Sequence, residues 1–449
     1  MKKIKEQDNK SMRKEVLVFA FPIIVCHILQ TMFNIVDMIW VGRLGPEAVA
    51  AISWAGNILM VLVTLIVGIS VGTTSIITRN IGAKEYEEAS RTAFHSLIIG
   101  GIISIVLAVW AYFNVEKVML VLGAEPSIAS FAASYLKIIF YFSVVMFFMY
   151  LISAILRGSG DMKTPTRALI YATVINFVLD PFLIFGIGFF PKLGIEGAAW
   201  AAVISRTVGT IICLKAILNG KNKIHLLPHY IKINLNIIVR ILKIGIPGSL
   251  NMSMKSVAGL VMIIFVGQFG FRAVAAYGIG LKLLSFAMIF GFGLGEAAAI
   301  LIGHNLGAKD YHRASRLTSI CAGYNTLIML VFAFIYFFFA TPLIKIFNTD
   351  PEVIRICLEY LRVTSLAYIF VGAGFILSRA LNGAGDTAGN MMISIICIWF
   401  IQIPLVLFYT QYWKMGVSGV WWGIMAASFL QGLATVMWFY QNKWKLLKV

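Results

Sequence analysis

Asp37 ends a polar stripe. His27, Gln30, Asn34 and Asp37 are spaced three, four and three apart, which places them along one side of a helix. A second stripe holds Thr173, Asn176 and Asp180 at the same kind of spacing. Carboxylates flanked by amide oxygens are hard donors that suit a small cation such as Na+. The same carboxylate pair can instead hold a proton. Either load makes a coupling site, because helices pack one way around a neutralised pair and another way around a charged one. Na+ at Asp37, Asn176 and Asp180 and H+ on the carboxylates both stay open. Asn34 joins them as a cation-coupling residue, and Gln30, His27 and Thr173 are candidates for lining a substrate cavity.

The surroundings give these residues their weight. Both aspartates lie inside long apolar runs. An ionisable group at the centre of a membrane helix costs roughly 2.5–3.5 kcal/mol on insertion scales, so it is seldom kept without a use. The chain has 449 residues, 60% hydrophobic and only 12% charged. Soluble domains carry about a quarter charged residues. An ordinary cytosolic enzyme is therefore excluded. Crossing the hydrocarbon layer takes about 20 apolar residues, and twelve such runs follow one another from 15–40 to 416–440. The expectation is an all-α polytopic membrane protein with twelve transmembrane helices. Pro22 and Pro181 should bend two of them.

The net charge is +18. The basic residues sit in short gaps between apolar runs, as in cytoplasmic loops, and not in a soluble nucleic-acid-binding module. Lys2, Lys3 and Lys5 before the first run and Lys443, Lys445 and Lys448 after the last put both termini in the cytoplasm. Cys26, Cys213, Cys321, Cys357 and Cys397 all fall in apolar runs and read as buried small residues, not as disulfides or metal ligands.

The chain also repeats itself. VGRLGPEAVAA (41–51) matches VGQFGFRAVAA (266–276) at an offset of 225. The same offset pairs Pro22 with Pro247, NIGAKEYEEASR (80–91) with NLGAKDYHRASR (305–316), and GSGD (158–161) with GAGD (383–386). Each half carries six runs, so both halves enter the membrane from the same side as parallel repeats, with a pathway expected between two lobes. The lobes are read as 1–218 and 240–449, joined by a cytoplasmic linker at 219–239. Gly68 and Gly72, with Gly291 and Gly295 near the matching register, read as close helix contacts.

The duplication does not extend to the acidic cluster. At that offset Asp37 corresponds to Met262, Asp180 to Leu405, Asn34 to Gly259 and Asn176 to Ile401. Packing alone would keep similar residues in both halves. The second half has its own charges inside runs, Glu296 and Lys255, which read either as a substrate or proton site or as a structural pair. Arg206, near the middle of the sixth run, reads as structural.

Three motifs together resemble one known family. PxxVxxxLQTxxNxVDxxWVGRLG in the first run, RGSGDMKTP after the fourth and IGHNLGA after the eighth are similar to those of multidrug and toxic compound extrusion (MATE) transporters. The resemblance covers essentially the whole chain. It implies a secondary antiporter of the cell membrane that exports cationic or amphiphilic organic compounds in exchange for Na+ or H+, by rocking of two lobes. It implies that Pro22 bends the first helix and that Asp37, Asn176 and Asp180 are the cation site. Some members carry a Thr where this chain has Ala201 and Ala202. Another branch uses an acidic residue where this chain has Lys255, so a second cation site of that type is not expected here. Beyond the coupling ion no cofactor is expected, nor a nucleic-acid or obligate protein partner. No Walker A, HExxH or GxSxG sequence points to an enzyme. The alternatives are a flippase for a lipid-linked saccharide or other amphiphilic lipid, kept open by Arg206 and Lys255, and a scaffold without transport, which would gain nothing from two buried carboxylates.

Overall fold

Long apolar runs leave backbone groups no partner but their own helix, so the chain forms long helices. The computed structural model describes residues 2–121, 123–188, 190–219, 222–226 and 233–447, with side chains from Lys10 onward. Before the linker come α1 (Lys2–Gly42), α2 (Pro46–Gly82), α3 (Tyr86–Val121), α4 (Pro126–Tyr141), α5 (Ser143–Ser159), α6 (Lys163–Phe185) and α7 (Ile195–Leu218). After it come α8 (Leu235–Gly267), α9 (Phe271–Gly307), α10 (Tyr311–Phe338), α11 (Ala340–Lys345), α12 (Pro351–Ser365), α13 (Tyr368–Gly383), α14 (Thr387–Ile395), α15 (Ile403–Leu407) and α16 (Val417–Tyr440). No strand occurs among the described residues.

Among the described residues ten helical runs are long and apolar enough to cross a membrane, and two bent pairs bring the number to twelve. α4 and α5 meet at 52°, α12 and α13 at 61°. The sequence reads each pair as one straight run. The break at Phe142 and the break at Leu366–Ala367 match under the 225-residue repeat, so the bend was duplicated with the fold. The span from Thr387 to Tyr412 is less regular. π-helical turns at Ile396–Gln402 and Phe408–Tyr412 flank Pro404, which lacks the N–H that a regular helix would use. Pro22 and Pro181 are taken up inside unbroken helices, α1 and α6.

The compact units do not follow the repeat boundaries. One unit comprises Met1–Ile24 with Leu250–Val449, and the other Val25–Ser249. The lobes read as 1–218 and 240–449 are units of sequence repetition; in space, α1 and α8 each begin in one unit and end in the other. The reason is packing at glycine. A Cβ on Gly68 of α2 would sit 2.7 Å from the Gly245 carbonyl oxygen of α8, in the second unit. A Cβ on Gly293 of α9 would sit 2.9 Å from the Ile24 backbone nitrogen of α1, in the first. Gly293 matches Gly68, and Ile24 matches Ser249, at the same offset of 225. Gly291 and Gly295, singled out by sequence, approach Asn325 and Arg379.

Part of the linker, 220, 221 and 227–232, lies outside the described residues. Ile224, His225 and Asn234 dock on α2 and the start of α3. Ile224 is buried with Ile77, Ile81 and Ala89. The His225 N–H donates to Ser90 Oγ at 3.0 Å, and the Asn234 N–H donates to His95 Nε2 at 2.9 Å.

Candidate functional site

α6 is a polar stripe wrapped in apolar residues. Thr173, Asn176 and Asp180 lie along it and all three are buried. Small residues on α7 let that helix come close: Gly197 lies against the Leu183 and Ile184 backbone of α6, and Ala198, Ala199, Ala201 and Ala202 are buried with it. α1 contributes the facing edge. Phe33, Asp37 and Val41, four apart, run along its inner side, with Phe33 and Val41 fully buried.

Asp37 of α1 neighbours the Asp180 and Asn176 side chains. Asn176 Nδ2 donates to Asp180 Oδ1 at 3.2 Å. Three buried oxygens at this point, Asp37 Oδ1, Asn176 Oδ1 and Asp180 Oδ2, accept no hydrogen bond among the described residues. Arg206 of α7 lies close enough to act on Asp37 electrostatically. Its guanidinium is 5.0 Å from the centre of the Phe33 ring, and its Nη1 is 3.8 Å from Met146 Sδ. Tyr135 of α4, also buried, is near Asp37, Arg206 and Asp180. The donor set is two carboxylates and an amide oxygen, which fits a hard monovalent cation. It equally fits one proton shared by the carboxylates.

The matching place in the second half is built for packing. Met262, at the position of Asp37, is buried in a core with Tyr277, Tyr360 and Trp421. The Tyr360 and Trp421 ring centroids are 4.9 Å apart, and those of Tyr277 and Trp421 are 5.7 Å apart. Tyr360 is itself the counterpart of Tyr135. The same tyrosine thus meets carboxylates in one half and an indole in the other.

The MatE sequence profile matches residues 22–182 and again 247–408, two segments in register with the internal repeat. The chain belongs to the MatE family. Along 447 aligned residues it is 31% identical to the probable multidrug resistance protein YoeA of Bacillus subtilis, covering 98% of this chain and 96% of that one. It is 27% identical to the probable multidrug resistance protein NorM of Thermotoga maritima, covering 98% and 95%. A crystal structure of MATE in the bent conformation has the same fold, with a TM-score of 0.90 at 23% identity over 96% of this chain and 95% of that one. MatE proteins are membrane transporters, so the chain is not an enzyme, and the expected family and fold class hold.

Not every residue chosen by spacing joins this cluster. Asn34 is exposed, because the inner edge of α1 passes through Phe33 and Asp37, and Asn34 falls a helical step to the side. Gln30 and His27 are half-buried on the same helix. The Thr173 hydroxyl donates back to the Leu169 carbonyl at 2.8 Å. Arg206, read as structural from sequence, stands beside the carboxylates. Tyr135 was not singled out; its burial near a run end carried no signal.

Charges gather at a second place, on α8, α9 and α13. Glu296 acts electrostatically on Arg379, and Lys255 has Arg379, not Glu296, as its charged neighbour. The pairing of Lys255 with Glu296 considered from sequence is not formed. Arg379 comes between them in charge contacts.

Proposed function

We propose that the chain exports cationic or amphiphilic organic compounds across the cell membrane in exchange for Na+ or H+, with Asp37, Asn176 and Asp180 as the coupling site. One observation carries the reading. Three buried oxygens without donors converge from α1 and α6 in one half, while the repeat-matched position holds Met262 in an aromatic core. Two ionised carboxylates against one guanidinium leave a single uncompensated negative charge. That balance suits one monovalent cation or one proton. Na+ would be held by the oxygens of Asp37, Asn176 and Asp180, and a proton by the two carboxylates. The ion supplies the positive charge that lets α1 and α6 close around the site; its loss leaves like charges facing each other. One elementary charge moving through 100 mV is worth about 2.3 kcal/mol, enough to drive modest uphill export. The basic residues around both termini support a cytoplasmic position for them.

The multidrug resistance proteins YoeA and NorM are relatives over nearly the full chain, which favours organic-compound export over the lipid-saccharide flippase reading. The test is ethidium movement in proteoliposomes under a Na+ gradient or a pH gradient imposed separately. One gradient should drive export by the wild type and none by Asp37→Asn. Folded protein that moves ethidium under neither gradient would overturn the reading.

A further inference from the structure

We propose that Lys255 and Arg379 bind the anionic group, a carboxylate or a phosphate, of an amphiphilic organic substrate. The proposal rests on the reading of the chain as an exporter and names a substrate class for it.

Lys255 lies inside α8, twelve residues before Gly267 and twenty after Leu235. At 1.5 Å per residue it is about 18 Å and about 30 Å from the two helix ends. A four-carbon stem reaches neither end. It is exposed, and among the described residues it makes no hydrogen bond or ion pair. Its charged neighbour is another cation, Arg379.

Arg379 is held in place by aromatic faces. Its guanidinium lies 5.4 Å from the centre of Phe375 and 5.7 Å from that of Phe292. Those two rings meet edge to face at 5.2 Å. Phe375 and Arg379 are one turn apart on α13, and Phe292 and Glu296 are one turn apart on α9. Glu296 supplies the carboxylate that acts on Arg379. The group therefore holds two cations and one anion, with Lys255 and Glu296 well inside α8 and α9 and Arg379 one turn before the end of α13. A surplus ammonium beside a guanidinium is unfavourable in that setting unless a second anion arrives. An oxyanion can accept from Lys255 and Arg379 together, while an aromatic body on the same molecule meets Phe292 and Phe375.

The experiment uses one xanthene dye in two forms, with a free benzoate and with that benzoate methylated. Fluorescence polarisation gives the Kd of each for the full-length protein in phosphatidylcholine nanodiscs. The wild type should bind the acid at least roughly tenfold more tightly than the ester. Lys255→Gln should bring the two affinities together, and Lys255→Arg should restore the preference. Equal binding of acid and ester by the wild type, or an unchanged ratio in Lys255→Gln, overturns the proposal. A second arm adds phosphatidylglycerol to the discs. A preference that survives supports a substrate site. A preference that collapses overturns it in favour of a lipid headgroup as the occupant. Ethidium carries no carboxylate, and its gradient-driven export tests the exporter reading separately; the dye ratio is read at equilibrium with no gradient.

Discussion

Gly68 and Ser249 touch where α2 meets α8, and a Cβ on Gly68 would also press to 2.7 Å from the Gly245 carbonyl oxygen. Gly293 repeats this contact against Ile24 in the other unit. A backbone cannot give way as the end of a flexible side chain can. Gly68→Ala and Gly293→Ala should each cost about 1–3 kcal/mol by overpacking. Gly56, whose Cβ would meet nothing within 4 Å, is the control. Thermal unfolding in detergent, followed by size-exclusion chromatography, should show the first two lowered and Gly56→Ala at or above wild type. Three equal values would show that α2 and α9 shift freely.

Asp350 caps α12. Its Oδ1 accepts from the Glu352 N–H at 2.8 Å, and Arg272 Nε donates to its Oδ2 at 3.0 Å. These bonds, the Glu352 N–H first and then Arg272, hold its carboxyl below the ordinary carboxylate range. A carboxyl depressed in the folded state adds stability above its unfolded value, and that stability fades as pH falls through the folded value. Asp350→Asn keeps a capping oxygen and removes the charge. Its unfolding temperature should fall below wild type at neutral pH, and the gap should close as pH drops below the carboxylate range. A gap independent of pH would assign the effect to cap geometry.

His95 fastens the linker. Its Nε2 accepts from the Asn234 N–H, so its Nδ1 carries the hydrogen and donates to the Arg91 carbonyl at 2.7 Å. His95→Phe removes both bonds. The expected result is severalfold faster cleavage of the 219–239 segment in limited proteolysis, with the helical units intact. Unchanged cleavage would mean that Ile224 and Ser90 hold the segment without it.

Much of this fold was legible because hydrophobic length is a coarse signal that survives substitution. Twelve runs and the 225-residue repeat needed nothing more. The breaks at Phe142 and Leu366–Ala367 left no such mark: neither has a proline, and tertiary packing sets the bend. The exchange of α1 and α8 between units was hidden for the same reason, since Gly68 and Gly293 name no partner. Within the site, spacing found Asp37, Asn176 and Asp180 because a carboxylate in an apolar run is costly. Spacing also admitted Asn34, because a three-residue step leaves a residue on the rim of a helical face as readily as on its centre. Arg206 is visible in the sequence as a charge inside a run, but its neighbours come from helices far away in sequence.

Arg206 sets the charge at the proposed coupling site. The guanidinium acts on Asp37 from α7 while its plane lies over Phe33. Under the proposed coupling it competes with the ion for the same carboxylates. Replacing it with Met keeps the stem beside Phe33 and Met146 and deletes the charge. At an effective dielectric near 20, a unit charge at contact range is worth a few kcal/mol. Arg206→Met should therefore bind its coupling ion more tightly, moving the midpoint of ion-dependent ethidium export to an ion concentration at least roughly tenfold lower. Slower ion release should lower the maximal rate at the same time. Midpoint and rate are read together from export titrated against the driving ion in proteoliposomes. A midpoint displaced to higher concentration in folded protein would show instead that Arg206 orients Asp37 for the ion and does not compete with it.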